Sequence, residues 1–372
     1  MYVVVYVHGW HHNADDSNGA PRNQAVAFDD MMGRQVDQVR RKYEYRGDPR
    51  VPAILGIFVG WQGESIRSPT LARIFSIKSR ADAADRIGYG PENFSKKEGL
   101  GKDLKEIANA MRATDPDSRM IVMGHSFGGR MLTSAFFSDF IADSDDAQTL
   151  FQPLGPRTLM VTLNAAIGAD CYDSAFTTTK AQQIPKTPTW INVTSKDDSA
   201  TRKIYPLAKS FGLANSCNNN SAASKATIGH YPDYLTHSLT FRDIADEKPF
   251  PKTQTDAINS GLPSMPPRFP PLLDKSFEFK NVNQNLVLAY PMRDVKATAS
   301  SLRSYDFRST AFYEANLIPM SPVMFPPRLW NVQTDRDTID LSEGGGTISA
   351  LHSGIISTNL TRFLVDLVYE LK

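Results

Sequence analysis

The sequence predicts an α/β fold: a mostly parallel central sheet flanked by helices, with a large insertion before its last strand. Three observations carry this. Six short runs rich in β-branched residues are almost continuously apolar, the pattern of strands buried on both faces. Segments with helical spacing lie between the first of these runs, and a strand-helix-strand alternation builds a parallel sheet. The rhythm then stops after Asp198 for roughly 130 residues, far longer than an ordinary crossover.

The strand runs are "MYVVVYVHG" (1–9), "AILGIFVGW" (53–61), "RMIVMGHS" (119–126), "TLMVTLNAA" (158–166), "TWINVTSKDD" (189–198) and "LWNVQTD" (329–335). Helical spacing marks Ala25 to Arg41, Gly101 to Arg112 and Gly129 to Ile141. These elements predict a core of residues 1–198 and 329–372, with 199–328 as a cap over the carboxyl edge of the sheet. Within the insertion, "GLPSMPPRFPPLLD" (261–274) and "LIPMSPVMFPPRLW" (317–330) are too rich in proline for helix interior or central strand. "KSFEFKNVNQNLVLAY" (275–290) reads as a hairpin, and "NSCNNNSAAS" (215–224) as an exposed loop.

Charge and composition narrow the function. Lys and Arg number 41 against 40 Asp and Glu, so nothing draws the chain towards nucleic acid or an anionic membrane surface. No apolar stretch reaches bilayer-spanning length, and "MYVVVYVHG" opens inside a strand rather than as a signal peptide. A soluble protein is expected, cytoplasmic if the chain is complete, periplasmic or secreted if a leader has been removed. Cys171 and Cys217 are the only cysteines, too few for a disulfide scaffold and without zinc spacing. They are either paired or two free thiols.

The chemistry centres on "IVMGHSFGGR" (121–130), an apolar run leading into Gly-x-Ser-x-Gly. A sharp strand-to-helix turn holds a serine Oγ clear of the sheet by straining the serine backbone, and the neighbours must then be small. Gly124 and Gly128 supply that room, with an apolar strand before and an apolar-periodic helix after. Ser126 is therefore the candidate nucleophile.

Together "VHGW" (7–10), "GHSFGG" (124–129), "SKDD" (195–198) and "LH" (351–352) resemble the α/β-hydrolase superfamily, in its serine esterase and lipase branch. "YVHGWHHN" with "GIFVGWQGES" is similar to a group of bacterial serine hydrolases of poorly defined substrate. The likeness covers the sheet-forming parts but not the insertion, and the family's opening antiparallel strands are absent here.

The resemblance implies an oxyanion hole made by two backbone N–H groups: that of Phe127, after the nucleophile, and that of Trp10, in the loop after the first strand. His8 is then an organiser of that loop. His8, His11, His12, Asp15 and Asp16 match no zinc spacing, and no metal or cofactor is expected. "TDRDTID" (334–340) lacks the central glycine and terminal glutamate of a calcium loop.

A serine at neutral pH needs a base, and the base needs a carboxylate, in the family order Ser, Asp or Glu, His. His230, His237 and His352 follow Ser126. His352 lies in a glycine-rich loop after the last strand and before the final helix, where the family places its base; His230 and His237 read as polar cap residues. Asp198 is the expected acid, with Asp197 the alternative, since adjacent residues at a strand end point in different directions. Asp170 is a third carboxylate, one strand earlier. Trp61 and Glu64, in "GWQGESIRSP", line the site or cap a helix.

The implied activity is hydrolysis of a small-molecule or lipid-like carboxylic ester through an acyl-enzyme. The same residues would serve an acyltransferase or amidase, and a non-catalytic binding protein on the same fold is the rival from another class. Sequence leaves the oligomeric state open.

Overall fold

The computed structural model describes residues 1–9, 24–45, 51–62, 70–90, 99–142, 154–177, 188–212, 217, 222–242, 305–310, 313–320, 329–340 and 355–371. Two hydrophobic cores, one on each face of the sheet, explain the continuously apolar strands. β1 (Tyr2–Val7) sends Val3, Val5 and Val7 into one core and Tyr2, Val4 and Tyr6 into the other, so no face is left for polar side chains. The first core is closed by α2 (Thr70–Tyr89), α3 (Leu100–Thr114) and α4 (Phe127–Ala142), the second by α1 (Gln24–Tyr45) and the C-terminal α7 (Thr358–Glu370).

Further along the chain come β2 (Ile54–Val59), β3 (Arg119–His125), β4 (Thr158–Leu163), α5 (Asp173–Thr177), β5 (Trp190–Ser195), α6 (Tyr205–Ser210), β6 (His237–Arg242), β7 (Tyr305–Thr310), β8 (Tyr313–Pro319) and β9 (Leu329–Thr334). The sheet runs in the order β2-β1-β3-β4-β5-β9-β6-β8-β7. Neighbours are parallel from β2 through β6; β8 and β7 continue antiparallel. All six runs expected as strands are in this sheet. It is an α/β-hydrolase fold, a mostly parallel sheet between helical layers.

The chain steps from β1 outward to β2, then crosses back to start β3 on the other side of β1. That reversal opens a crevice at the carboxyl ends of β1 and β3, where open α/β sheets bind ligands. Gly9 and Ser126 stand there.

Within 199–328, the strands β6, β7 and β8 extend the far edge of the sheet. Residues 243–304, including the expected hairpin at 275–290, lie outside the described residues. Helix α2 has no strong apolar stripe of large side chains; it packs through small residues, Ala81 and Ala84 being buried, and a Cβ at Gly88 would come within 2.4 Å of the Met131 carbonyl oxygen on α4.

The face under α1 and α7 carries a buried ion pair, Lys42 Nζ to Asp366 Oδ1 at 2.7 Å. Arg119 at the start of β3 donates to the carbonyls of Val368 and Leu371, where the negative end of the helix dipole favours a cation. Among the described strands none lies beyond β2, whose Leu55 is 47% exposed. No helix of the described residues is long and apolar enough to cross a membrane.

Candidate active site

Ser126 sits between the last residue of β3 and the first of α4 with φ of 55°, in the left-handed region that side chains other than glycine rarely adopt. Such a backbone costs about 1–3 kcal/mol and persists only where the surroundings impose it. They do so through hydrogen bonds: Ser126 N–H donates to the Leu163 carbonyl (2.9 Å), and the Ser126 carbonyl accepts from the N–H groups of Arg130 and Ala166 (3.1 Å each). The turn is locked to its own helix and to β4.

Close backbone approach explains the glycines. A Cβ at Gly128 would lie 2.2 Å from the Val7 carbonyl oxygen, and one at Gly9 would lie 2.8 Å from the Ser126 Cβ. Thus the end of β1 and the Ser126 turn touch through glycine on both sides. Phe127, the residue expected to supply an oxyanion donor, is the first of α4, at the positive end of the helix dipole. Trp10, expected as the second donor, lies outside the described residues.

His8 is fully buried and stacked between the rings of Phe58 and Trp61. Its Nε2 accepts the Trp61 backbone N–H (3.0 Å), so the ring proton is on Nδ1, 2.8 Å from the Gly9 carbonyl oxygen. Burial pushes its pKa down, keeping the ring neutral. The Trp61 indole N–H in turn donates to the His8 carbonyl (2.8 Å). His8 thus ties the end of β1 to the chain after β2. Glu64, His11, His12, Asp15 and Asp16 lie outside the described residues, among which no group of three or more His, Cys, Asp or Glu side chains is arranged to hold a metal ion.

At the end of β5 the two adjacent aspartates have opposite environments. Asp197 is exposed, whereas Asp198 is fully buried. Asp198 Oδ1 accepts the Ala200 N–H (3.0 Å) and Oδ2 accepts the Thr201 hydroxyl (2.7 Å). Thr201 belongs to a single π-helical turn, Ala200–Ile204, and its Oγ1 lies 3.0 Å from His230 Nε2. Burial pushes the His230 pKa down to about 4, against the pull of the Asp198 charge.

Asp170, the third carboxylate, is engaged elsewhere. Its Oδ2 accepts the Cys217 N–H (2.9 Å), next to a disulfide joining Cys171 and Cys217. His237 begins β6, packs against Trp330 and shares a 2.8 Å hydrogen bond with Thr236 Oγ1; burial lowers its pKa to about 4 as well.

His352 falls within 341–354, outside the described residues. The ends of that segment are joined, because β10 (Ile339–Asp340) pairs antiparallel with β11 (Ile355–Ile356), just past β9.

Sequence reading missed several residues that build this site. Asn164, just past β4 with φ of 43°, accepts the Ser195 N–H on its Oδ1 (2.9 Å) and so ties the ends of the neighbouring strands β4 and β5. Asn331 on β9 donates to the carbonyls of Ile228 (2.8 Å) and Tyr234 (2.9 Å), clamping the segment that carries His230. Asparagines inside otherwise apolar strand runs were the available signal, since a buried amide must find partners.

No protein-family model matches the chain, and no curated protein matches it with significance. Among solved structures, it is similar to the Lip2 lipase of Yarrowia lipolytica, with 20% identity over 28% of this chain and 32% of that one, at a TM-score of 0.18. It is also similar to the phospholipase PlaB of Legionella pneumophila, solved with thio-NAD, with 15% identity over 65% of this chain and 46% of that one, at a TM-score of 0.24. In each case the match spans less than half of the other protein, and overlays this partial carry no argument about substrate or residues.

Proposed function

We propose that the chain is a serine hydrolase that cleaves carboxylic esters through an acyl-enzyme. The observation that carries this reading is Ser126, held in a left-handed turn at the topological switch point, with the Phe127 N–H beside it at a helix start. Ser126 Oγ attacks the ester carbonyl while His352 takes its proton; the oxyanion is held by the N–H groups of Phe127 and Trp10. The tetrahedral species collapses with proton return to the leaving alkoxide, and water activated by His352 releases the acid.

In this reading Asp198 orients His352 and stabilises its imidazolium. A buried carboxylate suits that part better than the exposed Asp197, because Coulombic attraction is less screened away from water. The base is assigned from the chain order Ser, Asp, His and from its position after β9. The part of 199–328 outside the sheet keeps the role of cap, and the substrate is a small or lipid-like ester.

Turnover of p-nitrophenyl esters from acetate to palmitate, by wild type and Ser126→Ala, tests the reading. A loss of about 10⁴-fold or more in kcat is expected in the variant, with the chain-length optimum dividing esterase from lipase. Equal rates in the two proteins would overturn it.

A further inference from the structure

The Asp198–Thr201–His230 chain is more than local packing. A threonine hydroxyl has one proton, and an ionised carboxylate only accepts. With Oγ1 at 2.7 Å from Asp198 Oδ2, that proton goes to the carboxylate; Oγ1 then accepts from His230 Nε2–H at 3.0 Å. The ring is neutral, so this proton is on Nε2 by tautomer choice and not because the ring is charged. The hydroxyl is not a second nucleophile, being 1% exposed with its proton committed to Asp198.

The segment carrying His230 is built in, not draped. The Ile228 N–H donates to the Ile167 carbonyl after β4 (3.1 Å), and Asn331 holds the Ile228 carbonyl from β9. A Cβ at Gly229 would come within 1.9 Å of Thr194 Oγ1, so the turn Ile228–His230 rests directly on β5. Contacts from β5, from β9 and from the segment after β4 thereby fix a histidine that is distant in sequence against the hydroxyl that bonds Asp198.

We propose that Thr201 and His230 are positioning residues for ester hydrolysis: the hydrogen-bond chain from His230 through Thr201 holds the Asp198 carboxylate in the orientation that its histidine partner needs. The inference rests on Asp198 being the acid of the reaction. A buried carboxylate needs polar compensation, and besides the Ala200 N–H the threonine supplies a charge-assisted bond from the π turn.

The test is steady-state kinetics of the full chain on p-nitrophenyl butyrate, with a thermal melt recorded for each variant. Hydrogen bonds to charged groups are worth enough that Thr201→Val lowers kcat by about ten- to a hundredfold with KM within about twofold. Thr201→Ser, which keeps the hydroxyl, restores kcat to near wild type, as does His230→Gln relative to His230→Leu. Asp198→Asn runs beside them. If it leaves kcat unchanged, Asp198 is not the acid and the parent reading of this residue falls. If it abolishes turnover while Thr201→Val and His230→Leu turn over like wild type, the parent reading stands and the positioning role is wrong. Should Thr201→Val fail to fold, the His230 pair decides: equal kcat in Gln and Leu variants overturns the proposal.

Discussion

The Ser126 turn and the Asp198 loop end strands two places apart in one sheet, yet they are held by different means. Around Ser126 the constraint is backbone against backbone, with Gly128 on the Val7 carbonyl, Gly9 on Ser126, and main-chain hydrogen bonds to Leu163 and Ala166. Around Asp198 side chains carry much of the constraint: beside the Ala200 N–H come Thr201, then His230, in a segment clamped by Asn331. Backbone contact tolerates one residue type, and side-chain contact tolerates several. The first half should therefore fail outright when altered, and the second by degrees.

The sharpest break is Gly128→Ala. A methyl 2.2 Å from a strand carbonyl has nowhere to go without moving β1 off β3. Loss of soluble folded protein is expected, or at best a melting temperature lowered by a destabilisation of about 3 kcal/mol or more. A wild-type melting curve would show that the two regions are not held differently.

On the other side, replacing both Cys171 and Cys217 by Ser reopens a loop closed over a sequence separation of 46 residues. Chain-entropy arguments put the loss at up to about 4 kcal/mol, read as a lower urea midpoint with the fold retained. Asn331→Ala frees the carbonyls of Ile228 and Tyr234 and costs about 2–4 kcal/mol, with kcat falling because His230 loses its anchor. Unchanged kcat in that variant would separate the clamp from catalysis.

The mildest test uses pH. His230 and His237 have folded pKa values lowered to about 4 from 6.5. The unfolded chain therefore binds protons that the folded chain refuses, so their contribution is fully present above about pH 6.5 and lost as pH falls towards 4. Each contributes a slope of at most about 1.4 kcal/mol per pH unit in that window. His237→Gln should flatten the urea midpoint against pH; an unaltered profile would contradict the burial of a neutral ring.

The same contrast decides how much was legible in the sequence. "GHSFGG" could be read because steric exclusion dictates glycine at fixed spacing, and the fold could be read because two-sided burial makes strands continuously apolar. Strand alternation says that Asp197 and Asp198 diverge and not which one turns inward; the expectation of Asp198 rests on the family resemblance of the "SKDDSA" loop, and the structure shows Asp198 buried and Asp197 exposed. Thr201 and His230 carry no spacing rule, their contact being set by tertiary placement. Strands β6 to β8 escaped notice because they alternate, Ala315 and Leu317 being the buried residues two apart in β8, and an alternating edge strand has little apolar signature.

The central claim is that Ser126 is an activated nucleophile. Incubating the full chain with a fluorophosphonate probe and locating the adduct by peptide mass spectrometry tests it directly. A single adduct on Ser126, absent from a Ser126→Ala variant that melts like wild type, is the predicted result; no adduct, or labelling that persists in the variant, would contradict it.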